Sequence, residues 1–192
     1  MADAWLRATG HLVRSAVEVN RATLAAYGFS EGDRTSGGPS VAYARPEWDI
    51  DREVDEPGEL TVGDTIRFTK TMTDEDVAAF ADISGDTNRL HLEDEFATES
   101  RFGDRIIHGT LVSGLISAAL ARLPGLTIYL SQDVTFLAPA YIGDRLTATI
   151  EIVDDLEGNQ YMLSTDVHNE SGKQLINGEA VVLIDPVPEP DE

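Results

Sequence analysis

An acid and an imidazole five residues apart, Asp86 and His91, lie in Ser84-Gly85-Asp86-Thr87-Asn88-Arg89-Leu90-His91, a stretch too polar and glycine-marked to continue a plain helix. A carboxylate beside a neutral imidazole is a common means of moving a proton near neutral pH. Fifteen residues past His91, Ile106-Ile107-His108-Gly109-Thr110-Leu111 opens a strongly apolar segment in which a glycine begins a helix. A glycine there presents its backbone N–H with no side chain in the way, at the positive end of the helix, where a developing oxyanion is stabilised. Together these residues supply an acid/base pair and an oxyanion donor. Taken singly they have plainer readings, Asp86 as an Asx turn and His91 as a capping or core histidine. Their combination favours chemistry.

The elements that must position them follow from periodicity. Residues 65–72 alternate polar and apolar as a strand does, and Thr73 is placed to cap a short helix whose first turn carries Asp74, Glu75 and Asp76. That helix runs towards Phe80 and delivers the Asp86 loop. Residues 106–123 are apolar nearly all round but hold His108, Thr110, Ser113 and Ser117, which suits a buried helix and not a membrane span. Its small residues, Gly109, Ser113, Gly114, Ser117, Ala118 and Ala121, are expected to let a sheet wrap closely about it, and Pro124 ends it. Strand patterns then cover 127–137, 145–153, 160–169 and 174–184, broken at Gly125, Gly143, Gly158 and Gly172. The fold class read from this order is α+β, a mostly antiparallel sheet curling round one long buried helix. Ahead of it, residues 5–27 have the spacing of an amphipathic helix, and the glycines, prolines and charges of 30–58 read as a linker or arm. The expected organisation is an N-terminal helix and arm over 1–58, one domain over 59–185, and a frayed acidic tail over 186–192.

The 35 acids and 14 bases give a formal charge of −21, a field that repels phosphate backbones and anionic lipid, so neither nucleic acid nor a membrane is an expected partner. Lys70 and Lys173 are the only lysines, and the acids are spread along the whole chain, a pattern read here as adaptation to high salt. Absence of cysteine excludes disulfides, thiolate zinc sites and cysteine nucleophiles. The four histidines lack a metal-ligand spacing such as H-E-x-x-H, so no metal is implied, and His11 and His168 are read as non-functional. Residues 1–30 lack the basic start and continuous apolar core of a secretory signal, which points to the cytoplasm.

Phe80, Ser84-Gly85-Asp86-x-Asn88-x-Leu90-His91, Ala97 and Ile107-His108-Gly109 form one ordered signature, continued by Ile128-Tyr129-Leu130 to Phe136, Pro139 and Gly143-Asp144. On these residues, 60–185 resembles the MaoC-like hydratases of the hotdog fold, in particular the short (R)-specific enoyl-CoA hydratases that feed polyhydroxyalkanoate synthesis. Arg89 departs from the pattern, standing where the family usually has proline. The resemblance implies hydration of a trans-2-enoyl-CoA to an (R)-3-hydroxyacyl-CoA. Asp86 would activate water for C3, His91 would orient it and help deliver a proton at C2, and the Gly109 N–H would hold the thioester oxygen. Ser117 would support the water or Asp86, Asn88 would brace the loop, and His108 would position it.

For the coenzyme A phosphates, Arg89, Arg101, Arg105 and Arg122 are the candidate cations. The thioester is itself the substrate, so no cofactor is implied. The family's pairing of two sheets implies a homodimer. Residues 5–27 are expected to cover their own protein, or else to dock on a partner or a polymer granule. Alternatives are a MaoC-like dehydratase of a branched or carboxylated acyl-CoA, of the mesaconyl-CoA type, and a non-catalytic granule- or protein-binding module.

Overall fold

Alternation of β-branched and polar residues becomes alternation of burial. In Arg145–Asp155, Leu146, Ala148, Ile150 and Ile152 are buried and the residues between them face outward. The computed structural model describes Ala42 and residues 45–187, which belong to the compact unit Arg34–Glu192. The helix expected over 5–27, with its docking role, and the last five residues of the acidic tail lie outside the described residues. Six strands form one sheet: β1 (Asp49–Arg52), β2 (Thr65–Thr71), β3 (Leu126–Phe136), β4 (Arg145–Asp155), β5 (Gln160–Asn169) and β6 (Gln174–Asp185). Their order is β1-β2-β4-β5-β6-β3 and every neighbouring pair is antiparallel. At the β4–β5 turn Glu157, Gly158 and Asn159 all have positive φ, the conformation a tight hairpin demands.

Four helices lie between β2 and β3: α1 (Asp74–Ser84), α2 (Arg89–Leu92), α3 (Asp94–Thr98) and α4 (Gly109–Leu120). The α4 helix packs across β2, β3, β4 and β5. The core between them includes Phe68, Ile116, Leu120, Leu146, Leu163 and Ile176. The α+β expectation is met.

Two details differ from the sequence reading. First, α4 begins at Gly109 as its opening glycine predicts, but the residues ahead of it do not join the helix, and it is not buried all round. Ile106 and Ile107 are extended, Ile106 bridging Tyr141 and the Ile107 N–H donating to the Ala140 carbonyl. The large side chains Val112, Leu115, Ile116 and Leu120 face the sheet, whereas Thr110, Gly114 and Ser117 are exposed. A sheet on one side of a helix rewards the face with most apolar area, so the small residues turn outward. Second, the stretch read as a linker contains β1, an edge strand. Trp48 packs edge-on against Phe68 with ring centroids 5.4 Å apart, and Ile50 and Val54 lie against the core. Asp51 pairs with Arg67 at 3.0 Å, and Asp49 pairs with Arg145.

Candidate active site

The Asp86 loop is placed by how α1 starts and stops. Thr73 accepts from the Asp76 N–H while the Asp76 carboxylate accepts from the Thr73 N–H, a reciprocal capping box. At the other end Gly85 is left-handed, with φ of 76°, and its N–H donates to the Ala81 carbonyl at 2.9 Å. Glycine takes this conformation without strain and turns the chain sharply off the helix. Asp86 follows at once. Its Oδ1 accepts from the Asn88 N–H at 3.3 Å, and Asn88 Oδ1 accepts from the Leu90 N–H at 3.0 Å to start α2. Asn88 therefore braces the loop, and α2 carries His91.

Both buried imidazoles are fixed by backbone carbonyls. His91 Nδ1 lies 2.7 Å from the Ile106 oxygen, and His108 Nε2 lies 2.9 Å from the Asp86 backbone oxygen. A carbonyl only accepts, so in the neutral rings these nitrogens carry the protons and the other nitrogen of each ring is a lone pair. The rings stack with centroids 3.8 Å apart and an interplanar angle of 31°, and Phe80 flanks His108 at 4.9 Å. His108 thus ties the Asp86 loop, the His91 ring and the start of α4 together. Asp86, His91 and His108 each place one ligating atom within 4.8 Å of the other two, the one such cluster among the described residues. Rings lying face to face aim their in-plane lone pairs side by side and not at one point, which suits proton handling better than a metal centre.

The Gly109 N–H belongs to the first turn of α4, where no helical carbonyl lies within reach as acceptor. Beside it is a cavity of about 330 Å³, whose lining includes His91, Phe102, Gly109, Val112, Phe136 and Ile176. Apart from His91 its walls are almost wholly apolar. The cavity joins the His91 ring to the Gly109 amide, with the exposed Asp86 outside its lining. Phe102, Val112, Phe136 and Ile176 are lining residues that the sequence analysis did not assign. They come from four different elements and loops, and no spacing links them.

Ser117 and the arginines behave differently from expectation. Ser117 is exposed on the open face of α4, eight residues past Gly109, and lines no part of this cavity. Arg89 is held by Glu93 at 2.6 Å and its guanidinium lies over Phe96 at 4.6 Å. The hydrogen bond from Arg89 holds the Glu93 carboxyl below its usual range. Arg105 pairs with Asp74 and Asp94, and Arg122 is buried against Trp48 and Phe68 just past the far end of α4.

Residues 58–173 match the model of the family described as "MaoC like domain". The chain is 36% identical over 128 residues to a protein of Rhodospirillum rubrum named (R)-specific enoyl-CoA hydratase, covering 66% of this chain and 89% of that one. It is 35% identical over 132 residues to the mitochondrial 3-hydroxyacyl-[acyl-carrier-protein] dehydratase of Arabidopsis thaliana, covering 65% and 78%. Among solved structures, the unliganded R-hydratase PhaJ1 from Pseudomonas aeruginosa superposes with a TM-score of 0.65 at 36% identity, covering 76% of this chain and 95% of that one.

Proposed function

Because this chain belongs to the MaoC-like domain family, we propose that it is a hydro-lyase of the hydratase/dehydratase kind that adds water across a trans-2-enoyl-CoA to give the (R)-3-hydroxyacyl-CoA. The observation that carries the reading is the spacing of Asp86 and His91. A water hydrogen-bonded to two acceptors at about 2.8 Å each spans about 4.6 Å between them, and one ligating atom of each residue lies within 4.8 Å of the other. The water then gives one hydrogen to each group and turns its oxygen towards C3.

The His91 tautomer refines the assignment of roles. With the Nδ1 proton committed to the Ile106 carbonyl, the nitrogen left for water is an acceptor, so His91 orients the nucleophile and is not the donor to C2. Asp86 takes the water's proton as the C3–O bond forms and returns that proton to C2, so the elements of one water are added and the site regains its starting charge. Between those events the thioester oxygen carries enolate charge, which the Gly109 N–H and the α4 dipole stabilise. The acyl chain lies in the apolar cavity. Supply of (R)-3-hydroxyacyl units for polyhydroxyalkanoate is the finer form of this proposal, as are the domain limits of 59–185.

Crotonyl-CoA tests the reading directly. Loss of the conjugated-thioester absorbance with wild type, an (R) product by chiral analysis and a loss slowed by about 10²–10⁴ with Asp86→Asn are expected. An unchanged absorbance at every salt concentration from dilute to molar overturns it.

A further inference from the structure

Three arginines lie in the 86–108 stretch that brings His91, Phe102 and Ile106 to the cavity, and ion pairing separates them. Arg89 is committed to Glu93 through Nη2 and Nε at 2.6 and 2.7 Å. Arg105, only 18% exposed, is held by Asp74 at 2.8 Å and by Asp94 at 2.6 Å. Arg101 is exposed and makes no ion pair among the described residues. Its guanidinium carbon lies 5.8 Å from the centroid of the Phe102 ring, which lines the cavity. Elsewhere Arg122 is buried just past the far end of α4, and Lys70 is bound to Asp76 at 2.5 Å.

We infer that Arg101 grips the phosphates of the substrate's handle, and that this handle is coenzyme A itself and not an acyl carrier protein. The inference rests on the hydro-lyase reading and names its carrier. A guanidinium with a carboxylate already on its fork must give up one anion to take another, whereas a free one presents its parallel N–H pair to a phosphate at no such cost. The cation–π contact with Phe102, a lining residue, keeps the group near the cavity without using its donors.

The charge of the same stretch disfavours a carrier protein. From residue 86 to 108 there are six acids against three arginines, and two of those arginines are neutralised in place. An acidic carrier protein docks through an extended surface and would need a basic patch to meet it. Here it meets a negative one on a chain of formal charge −21. A small phosphorylated handle needs only one well-placed cation and can direct its remaining charge to solvent.

Three crotonyl thioesters test this with the full chain: coenzyme A, N-acetylcysteamine, which lacks phosphate, and acyl carrier protein. Arg101→Gln is expected to raise KM for crotonyl-CoA about tenfold with kcat unchanged. The same variant should leave kcat/KM for the N-acetylcysteamine thioester within about twofold, and the KM effect should shrink in molar salt. Arg101→Lys, which keeps the charge and loses the fork, should restore part of the affinity. The inference is overturned if KM for crotonyl-CoA does not move, or if the phosphate-free thioester suffers equally, which would mark a structural role. It is also overturned if wild type turns over the carrier-protein thioester with higher kcat/KM than crotonyl-CoA. Absence of crotonyl-CoA hydration in wild type fails the hydro-lyase reading instead, and the Arg101 inference falls with it.

Discussion

A Cβ placed on Gly109 would lie 3.0 Å from a ring carbon of Phe136, so the missing side chain at this position has a measurable consequence. Phe136 is 56% exposed and its ring can swing aside, so Gly109→Ala should fold with little loss of stability. Its methyl nevertheless stands beside the amide proposed to receive the thioester oxygen. We expect kcat/KM to fall at least about tenfold, and Phe136→Ala added to Gly109→Ala to relieve any loss of Tm without restoring activity. Recovery of activity in the double variant would show that the ring, and not access to the amide, was the obstacle.

Asp86→Asn isolates the charge. An amide oxygen can still accept from the Asn88 N–H, and the His108 bond goes to the Asp86 backbone oxygen, not to its carboxylate. The loop should therefore persist, with Tm unchanged, while kcat drops by about 10²–10⁴; a Tm loss in step with the rate loss would assign Asp86 to the loop alone. Asp86, His91 and Gly109 were legible in the sequence because each is fixed by a local signal: a left-handed glycine, an Asn cap, a glycine opening a helix. Arg101 could not be singled out from its neighbours. Which arginine is free depends on Asp74 reaching Arg105 across 31 residues, a long-range fact that no spacing encodes.

At the scale of elements, the α1 capping box decides whether the Asp86 loop is presented at all. Thr73→Ala should cost about 1 kcal/mol, read as a lower midpoint in denaturant titration. Asp76 adds a pH dependence. Burial alone would raise its pKa, but the hydrogen bond from Lys70, with those from Thr73, outweighs burial and lowers it below the ordinary 3.8. A depressed carboxyl contributes stability that is complete above the unfolded pKa and is lost as pH falls through the folded one. Thermal unfolding of wild type and Asp76→Asn should therefore differ by a constant amount near neutrality, with the difference closing as pH is lowered below about 4. A difference that persists there would assign the loss to packing.

Thr73, Gly85 and the alternation in β2, β4, β5 and β6 are short-range signals, and these elements end within a few residues of where the sequence places them. The β1 strand escaped because Asp49–Arg52 has three charges in four residues and no apolar stripe of its own. Its place depends on Trp48 reaching Phe68. The face of α4 was misjudged because small residues suit a close approach by any neighbour, while only the sheet's position decides which face is approached.

For the whole molecule, the two edges of the sheet are unequal, and charge determines what each can do. The β1 edge is four residues long and mostly charged, which discourages pairing. The β3 edge is eleven residues long with Asp133 its only charge, and Tyr129 and Phe136 are exposed along it. We expect two copies to join there as the homodimer that the family resemblance implies. Each copy brings a formal charge of −21 to the contact, and repulsion between such charges is screened beyond about 10 Å at 0.1 M salt but beyond about 3 Å at 1 M. Light scattering in molar potassium chloride should then give about twice the 20.8 kDa chain mass, with dissociation towards the monomer and a falling Tm as salt is diluted. The gain in Tm should level off once the screening length is shorter than the spacing of surface acids, as screening demands; a continued linear rise would indicate a general salt effect on apolar burial. Ser131→Lys, at an exposed edge position, should give monomers that unfold cooperatively at every salt concentration, because a lysine on an edge strand obstructs pairing without touching the core. A wild-type chain that is monomeric throughout would assign the exposed β3 edge some other role.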